Sequence, residues 1–405
     1  MTRLRHLLAF AEQGVVSLTN FALMILLARE LGLESFGVFS LCFVLVILAS
    51  YIHGAVFSVP MMTMVSSFQS KASREHYLGQ LSCLQFIGAF GIFSFSVVVS
   101  LLFFLLFPLK WSIIPLALAL AGVPIGEWYR RYLYAIDNPV GALFYSVSRI
   151  LVLAVFFIYF IFLGKLSIEL SLVALALSSL LPVVVSYCFG WAPMFKFGGV
   201  WELLRLHWGQ GRHMLPVGLL EWFNLQGFLL LCGGQMAGAI RASQNLVGPL
   251  NIVYQSLDNI LPVKAGKLLA ISDSTTVWVM LFRAAVFLSV MLAPLLGLMT
   301  FFSEELLVLI YGGSFSHLYP LVFLQLLSLL LGIYHKVLGS AFRVFGYTKL
   351  IFLSYFFGFS VFLVALFYFD GQGAFVIMLS KVVAEVVIFL LMVFCAVKVY
   401  SRVGE

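Results

Sequence analysis

The chain has 405 residues and a formal net charge of +7, yet only 10% of its residues are charged, while 63% are hydrophobic and 16% aromatic. A soluble domain carries charge on about a quarter of its residues, so this composition, with a mean hydropathy of +1.12, excludes a soluble enzyme or binding module and points to a polytopic membrane protein. The apolar runs are continuous, where the strands of a barrel would alternate residue by residue. The expected fold class is therefore all-α: twelve transmembrane helices in two six-helix, pseudo-symmetric lobes around a central cavity.

In chain order, the first helix centres near residue 18 and ends in a charged knot of Arg29, Glu30 and Glu34, which reads as a loop between two spans. From Phe36 to Ser70 there is no Asp, Glu, Lys or Arg, a run longer than the ~20 residues that cross a bilayer. Further apolar runs place helix centres near 48, 95, 123, 154, 178, 224, 252, 291, 327, 359 and 385. Pro60 and Pro262 read as terminators of the second and eighth helices. Connections are short except Gly190 to His213, where Trp191, Trp201 and Trp208 alternate with Lys196, Arg205 and Arg212. Such a segment suits an amphipathic stretch on the inner membrane surface, rings among headgroups and cations on anionic lipid. The expected organisation is a lobe over 1–189, a cytoplasmic linker over 190–213 and a second lobe over 214–405.

Basic residues set the orientation. With the N-terminus inside, the inner loops and tails hold most of the Lys and Arg, including Arg3, Arg5, Lys71, Arg74, Lys264, Lys267, Lys336, Arg343, Lys349 and Lys398, whereas the outer loops hold Arg29, Lys110, Lys165 and Arg241. This bias puts both termini in the cytoplasm. The positive charge then answers to topology and anionic headgroups, with no call for nucleic acid. Cys42, Cys83, Cys188, Cys232 and Cys395 are odd in number, lie in apolar segments and form no CxxC pair, so they read as buried reduced thiols.

The halves repeat. Glu12 and Glu221 are offset by 209 residues, Pro60 and Pro262 by 202, and YLYAIDNP from Tyr132 lies over SAFRVFGY from Ser340 at 208, with Asn138 over Gly346. An even number of helices per half makes the repeats parallel, related by an axis along the membrane normal.

Asn20-Phe21, LLARELG at Leu26 to Gly32 and FGVFSL at Phe36 to Leu41 together resemble the first two helices of the Wzx-type polysaccharide flippases, in the multidrug/oligosaccharidyl-lipid/polysaccharide (MOP) exporter superfamily. Length, twelve spans and the 6 + 6 division agree with that family along the chain. The related lipid II flippases end their first helix in a similar A-R-x-x-G, and the resemblance implies for Arg29 their arginine's role in the cavity that takes the pyrophosphate. The chain departs from a strongly basic second helix at His53, and its eighth helix carries Asp258.

An ionisable group inside a span costs at least ~2.5 kcal/mol and usually faces protein or water. A diphosphate head needs cations, Arg as a planar fork and Lys as a point charge. The candidate substrate-binding residues are Arg29, Arg130, Arg131, Arg149 and Lys381, with His53, and with Trp128, Tyr129 and Trp222 able to stack on sugars. Glu12, Glu127, Glu221, Asp258 and Glu385 suit a coupling site for H+ or Na+, or compensate the cations of an empty cavity. Plainer readings stand beside these. Glu127 with Arg131, and Lys381 with Glu385, are i, i+4 pairs that can be local ion pairs; Arg130 and Arg131 can be inside anchors; Arg29 can snorkel to the interface; His53 can be a packed polar residue.

No P-loop, GxSxG or Cys/His metal spacing occurs, and Glu304-Glu305 reads as a solvated loop tip, so no catalytic residue, metal or cofactor is expected. The function implied is a flippase that moves an undecaprenyl-pyrophosphate-linked oligosaccharide repeat, as in O-antigen and lipopolysaccharide assembly, from the inner to the outer leaflet of a bacterial cytoplasmic membrane. Its partners would be this substrate, membrane lipids, H+ or Na+, and a polysaccharide polymerase and chain-length regulator. Two alternatives stand: a drug or organic-cation exporter of the same superfamily, kept open by Glu12, Glu221 and Asp258, and a non-transporting scaffold in polysaccharide assembly.

Overall fold

The structure, a computed structural model of the chain, describes residues 2–65, 68, 70–106, 113–250, 261, 264–266, 268–269, 271–369 and 373–403. Among these, the regular elements are all helical: α1 (Thr2–His53), a π-helical turn (Gly54–Ser58), α2 (Val59–Met64), α3 (Lys71–Leu106), α4 (Ile114–Ala135), α5 (Pro139–Phe162), α6 (Ile168–Cys188), α7 (Val200–Leu225), α8 (Gly234–Val247), α9 (Ser274–Phe301), α10 (Ser303–Tyr311), α11 (Tyr319–Val344), α12 (Thr348–Tyr368) and α13 (Ala374–Val403). The expected centre at residue 252 lies outside the described residues, as does Pro262; the other centres all fall on helices. Eight described stretches are long and apolar enough to cross a membrane, and one of them, Ala11–Met62, contains two expected spans. The chain is a multi-pass membrane protein. Of its cysteines, Cys188 is exposed and Cys395 half-buried, so the expectation of buried thiols holds for Cys42, Cys83 and Cys232 alone.

The charged knot is not a loop. Helical backbone runs through it and breaks at one residue, Gly32, whose φ of 73° and ψ of 171° suit a residue without a Cβ. Arg29, Glu30 and Glu34 thus ride on helical turns either side of a sharp elbow.

Two compact units make up the chain: Met1–Asn20 with Val38–Leu230, and Phe21–Gly37 with Leu231–Glu405. The first unit is packed most heavily along α4 and α6, with α3 and α5 alongside. Trp128, Tyr129, Tyr132, Tyr145 and Val183 share one hydrophobic core there. In the second unit α13 packs on both α11 and α12. The elbow is bound into this unit by backbone contact. A Cβ placed on Gly37 would fall 1.5 Å from the Gly234 carbonyl oxygen, and one on Gly238 would fall 2.3 Å from that of Leu33. Gly234 and Gly238 are a small-xxx-small pair, the spacing that lets one helix backbone approach another in an apolar medium. Asn245 Nδ2 completes the seam, donating to the Phe21 carbonyl at 3.3 Å and to Tyr311 Oη at 2.8 Å.

Pro60 does not end its helix. A proline in a helix has no N–H for the carbonyl four residues earlier, here Val56. The backbone widens into the π turn at Gly54–Ser58 and then continues as α2. The Val56 carbonyl takes its hydrogen bond from Nδ1 of His207 on α7, at 3.1 Å, and His207 Nε2 accepts from Tyr77 Oη at 2.9 Å. A carbonyl can only accept, which fixes the proton on Nδ1. This anchors the buried stripe Val200, Leu203, His207 and Gly211, while Trp201, Arg205, Trp208 and Arg212 recur at the same spacing on the exposed side.

The two units also end equivalent helices identically. After α4, the N–H of Asn138 bonds the Leu133 carbonyl at 2.8 Å; after α11, that of Tyr347 bonds the Phe342 carbonyl at 2.7 Å. Both are Schellman closures, around Asp137 (φ 63°) and Gly346 (φ 80°). The shift between them is 209 residues, the same as Glu12 to Glu221, so the loop offset expected at 208 moves by one.

Two outcomes follow. Gly37→Val should disrupt the elbow at the upper end of the ~1–3 kcal/mol of overpacking, whereas Gly91→Ala, with nothing within 4 Å of its Cβ, should be tolerated; thermal melts of the purified chain by size exclusion separate the two. Burial also holds the His207 imidazole down at about 4 from an ordinary 6.5. The neutral form belongs to the folded state, so its contribution is complete above pH 6.5 and is lost as pH falls towards 4. Protection of the amides in the π turn and in the first turns of α7, taken relative to their intrinsic exchange rates, should fall across that window in the native chain and hold in His207→Gln, which keeps a donor for Val56.

Candidate functional site

On α4, Glu127, Arg130, Arg131 and Tyr134 fall at i, i+3, i+4 and i+7, one stripe of the helix. Ser146 and Arg149 do the same on α5, and α1 brings Glu12 between them. Glu12 is 1% exposed and fully engaged. Its Oε1 accepts from Ser146 Oγ at 2.5 Å, and its Oε2 from Tyr134 Oη at 2.8 Å. Arg130 Nη1 donates to both oxygens, at 3.4 and 3.3 Å. The rest of the Arg130 fork grips Glu127, with Nη2 and Nε at 3.0 and 3.2 Å from Oε2. Arg149 Nη1 reaches the other oxygen of Glu127 at 3.4 Å.

The expected Glu127–Arg131 pair is therefore corrected. Glu127 is held by Arg130, one turn along α4, and by Arg149 of α5, because Glu12 reaching in from α1 draws the Arg130 guanidinium into the same plane. Arg131 stays half-buried and makes no ion pair within 4 Å among the described residues; its Nη1 lies beside Gly54 of the π turn. With three guanidiniums against two carboxylates, the cluster carries one positive charge in excess.

A second polar cluster lies in the core of the other unit. Lys381 and Glu385 are buried and paired at 3.0 Å, as their spacing implies. Lys381 Nζ also donates to Ser328 Oγ of α11 at 2.6 Å, and His335 Nε2 donates to the main-chain carbonyl of Glu385 at 3.1 Å. Lys336, next to His335, is buried as well. Glu385 Oε2 is buried and has no hydrogen-bond partner among the described residues.

The remaining predicted residues stand apart from these clusters. Arg29 spends its fork on the end of α10, Nε to the Ile310 carbonyl at 2.5 Å and Nη2 to the Leu309 carbonyl at 2.6 Å. These are unpaired last-turn acceptors, which attract a cation, so Arg29 is a helix cap here. His53 is buried, donating through Nε2 to Gln85 Oε1, with its ring 5.0 Å from Phe57. Trp128 is fully buried and stacked on Tyr132 at 5.9 Å, inside the core and not on a surface that a sugar could reach. Tyr129 belongs to the same core, and the buried Trp222 donates to the Val44 carbonyl at 3.3 Å. Glu221 is half-buried on α7, and Asp258 lies outside the described residues. Sequence reading missed Ser146, Tyr134, Gln85, Ser328 and His335. Ser146 and Tyr134 left a signal, Ser146 one turn before Arg149 on α5 and Tyr134 one turn after Arg130 on the charged stripe of α4.

No family model matches the chain, and no curated protein matches its sequence. Solved structures do match. An inward-facing multidrug resistance MATE family transporter of the MOP superfamily aligns at a TM-score of 0.71 and 14% identity, covering 97% of this chain and 99% of that one. The lipid II flippase MurJ in an inward closed conformation aligns at 0.67 and 13%, covering 96% and 87%. A MOP superfamily transporter from Pyrococcus furiosus, whose structure is described by a reversed polarity of its binding pocket, aligns at 0.62 and 16%, covering 96% and 93%. The chain shares the fold of these proteins along almost its whole length. Among the described residues, buried charge lies in these two clusters and at Arg241, whose Nη1 donates to Gln244 Oε1 at 3.3 Å.

Glu12 is the hub of the first. Glu12→Gln removes a charge that three side chains address and leaves Arg130 half compensated, so it should cost about 3 kcal/mol, seen as a lower thermal midpoint in detergent than that of Gln13→Ala, one residue along the same helix.

Proposed function

We propose that the chain is a flippase for a lipid-linked oligosaccharide with a diphosphate head, here an undecaprenyl-pyrophosphate-linked repeat, moving it from the inner to the outer leaflet of a bacterial cytoplasmic membrane with both termini inside. The observation that carries this reading is the surplus guanidinium of the first cluster. Glu12 and Glu127 are occupied by Arg130 and Arg149, and Arg131 is left half-buried with no ion pair among the described residues. A planar fork beside a net positive charge suits phosphate oxygens. The paired arginines hold the field in place and Arg131 meets the ligand. The fold, shared with a protein named as a lipid II flippase, supports the same reading.

Alternating access is the mechanism that fits. Head and sugars enter a cationic chamber while the polyprenyl tail stays in lipid, and a change of conformation exposes the chamber to the other face. No ATP motif occurs in the sequence, so an ion gradient, H+ or Na+, or removal of product drives net movement. A polymerase and chain-length regulator acting on the delivered repeat would supply that removal.

The multidrug reading draws on the likeness to the MATE transporter. It needs an acid open to an organic cation, and of the three that keep it open Glu12 is covered by guanidinium and hydroxyl donors, Glu221 is half-buried with a partner of its own, and Asp258 lies outside the described residues. The flippase reading is therefore preferred.

In a host lacking the gene, Arg131→Ala should lower surface glycan roughly tenfold or more, the loss of a charge-assisted bond of about 1.5–3 kcal/mol, with Arg131→Lys intermediate and membrane levels of the protein unchanged. Intact glycan with altered drug tolerance would select the exporter; no effect on either would select the scaffold.

A further inference from the structure

The five candidate coupling acids differ in how much of their carboxylate is already committed. Glu12 receives donors on both oxygens, as does Glu127. Glu221 is half-buried with a partner of its own, and Asp258 is outside the described residues. Glu385 differs: it is 3% exposed, its Oε1 is paired with Lys381, and its Oε2 meets no donor among the described residues. A carboxylate oxygen buried without a donor costs free energy that protonation removes.

We propose that Glu385, with Lys381, Ser328 and His335, forms a proton-binding site inside the second unit, and that the clusters divide the labour, anion recognition in the first unit and proton binding in the second. The role assigned to the proton rests on the transport reading above. The step balances simply: one proton from water adds to Oε2 of the Glu385 carboxylate, giving a neutral acid, while Lys381 keeps its own proton and its bond to Ser328 Oγ. The site then carries one more positive charge, so acid raises its demand for an anion. Ser328 gives Lys381 a partner that survives protonation of Glu385, which lets the pair open without stranding the ammonium. His335, bonded through Nε2 to the Glu385 main chain, fixes the turn of α13 that carries the acid.

The charged and titratable groups on the helices packed against α13 are few. Helix α11 brings Tyr334, His335 and Lys336, with Arg343 two turns on; α12 brings Tyr355, with Lys349 near its start; α9 brings the exposed Arg283. Helix α8 brings Arg241, whose Nη1 donates to Gln244 Oε1 at 3.3 Å. None of these is an acid, so among the described residues Glu385 is the carboxylate of this core.

The test needs no substrate. Infrared difference spectra of the purified full chain in lipid nanodiscs, between neutral and acid buffer, report the carbonyl band of a buried carboxylic acid. The band should be present in the native chain, lost in Glu385→Gln, shifted in Glu385→Asp and retained in Glu12→Gln. A band that survives Glu385→Gln, or that vanishes in Glu12→Gln, overturns the assignment. If Glu385→Gln does not purify as a single species, an unshifted band in Glu385→Asp overturns it equally. A band that behaves as expected beside intact surface glycan in Arg131→Ala sinks the flippase reading and leaves the proton site standing. The reverse pattern removes the site alone.

Discussion

A carboxylate far from water must find its donors within the protein, and Glu12 finds three, on two other helices. Tyr134 and Arg130 come from α4 and Ser146 from α5. That single acid ties the first helix of the chain to the fourth and fifth through polar contacts, in a medium that gives apolar burial between helices no hydrophobic reward. Its consequences spread outward. Drawing Arg130 towards α1 makes Glu12 and Glu127 share that guanidinium, leaves Glu127 to take a second one from Arg149, and leaves Arg131 with no ion pair among the described residues. Which guanidinium is left over, on which the functional reading depends, is thus set by the position of Glu12.

The two units carry one architecture with different charge. The Schellman closures at 133–138 and 342–347 share a shift of 209 residues, and the same shift brings Glu127 over Lys336 and Arg131 over Ser340. Where the first unit has an acid between arginines, the second has a lysine, and its acid arrives from α13 as Glu385. The two helices end in the same way and differ in the charge at their centres. Ends are fixed by backbone hydrogen bonds that every helix must close, whereas a buried charge needs only some partner nearby.

Much of this was legible in the sequence. Uninterrupted apolar runs gave the spans, because a bilayer demands both length and internally satisfied backbone. The i, i+4 spacing gave Lys381–Glu385. The same rule misassigned Glu127, since i+3 and i+4 are equally close on a helix and the choice was made by Glu12, more than a hundred residues away. The repeat register slipped by one because Asn138 is the commoner residue for a left-handed closure; here it caps α5 through Gly141, and Asp137 takes the strained position. Arg29 sits in the motif that resembles a flippase, but its partners at Leu309 and Ile310 lie some 280 residues downstream, beyond any local signal. Pro60 looked like a stop because the sequence cannot show that His207 would satisfy the carbonyl it orphans.

The elbow at Gly32 bears on how the protein is made. Phe21–Gly37 belongs to the unit otherwise built from Leu231 onward. Until the ribosome has delivered α8, the bare backbone at Gly37 has no groove to enter, and a gene fragment encoding the second half alone would expose Gly234 and Gly238 to lipid. No single cut in the chain separates the two units, so the later-synthesised one is complete only with a piece made first.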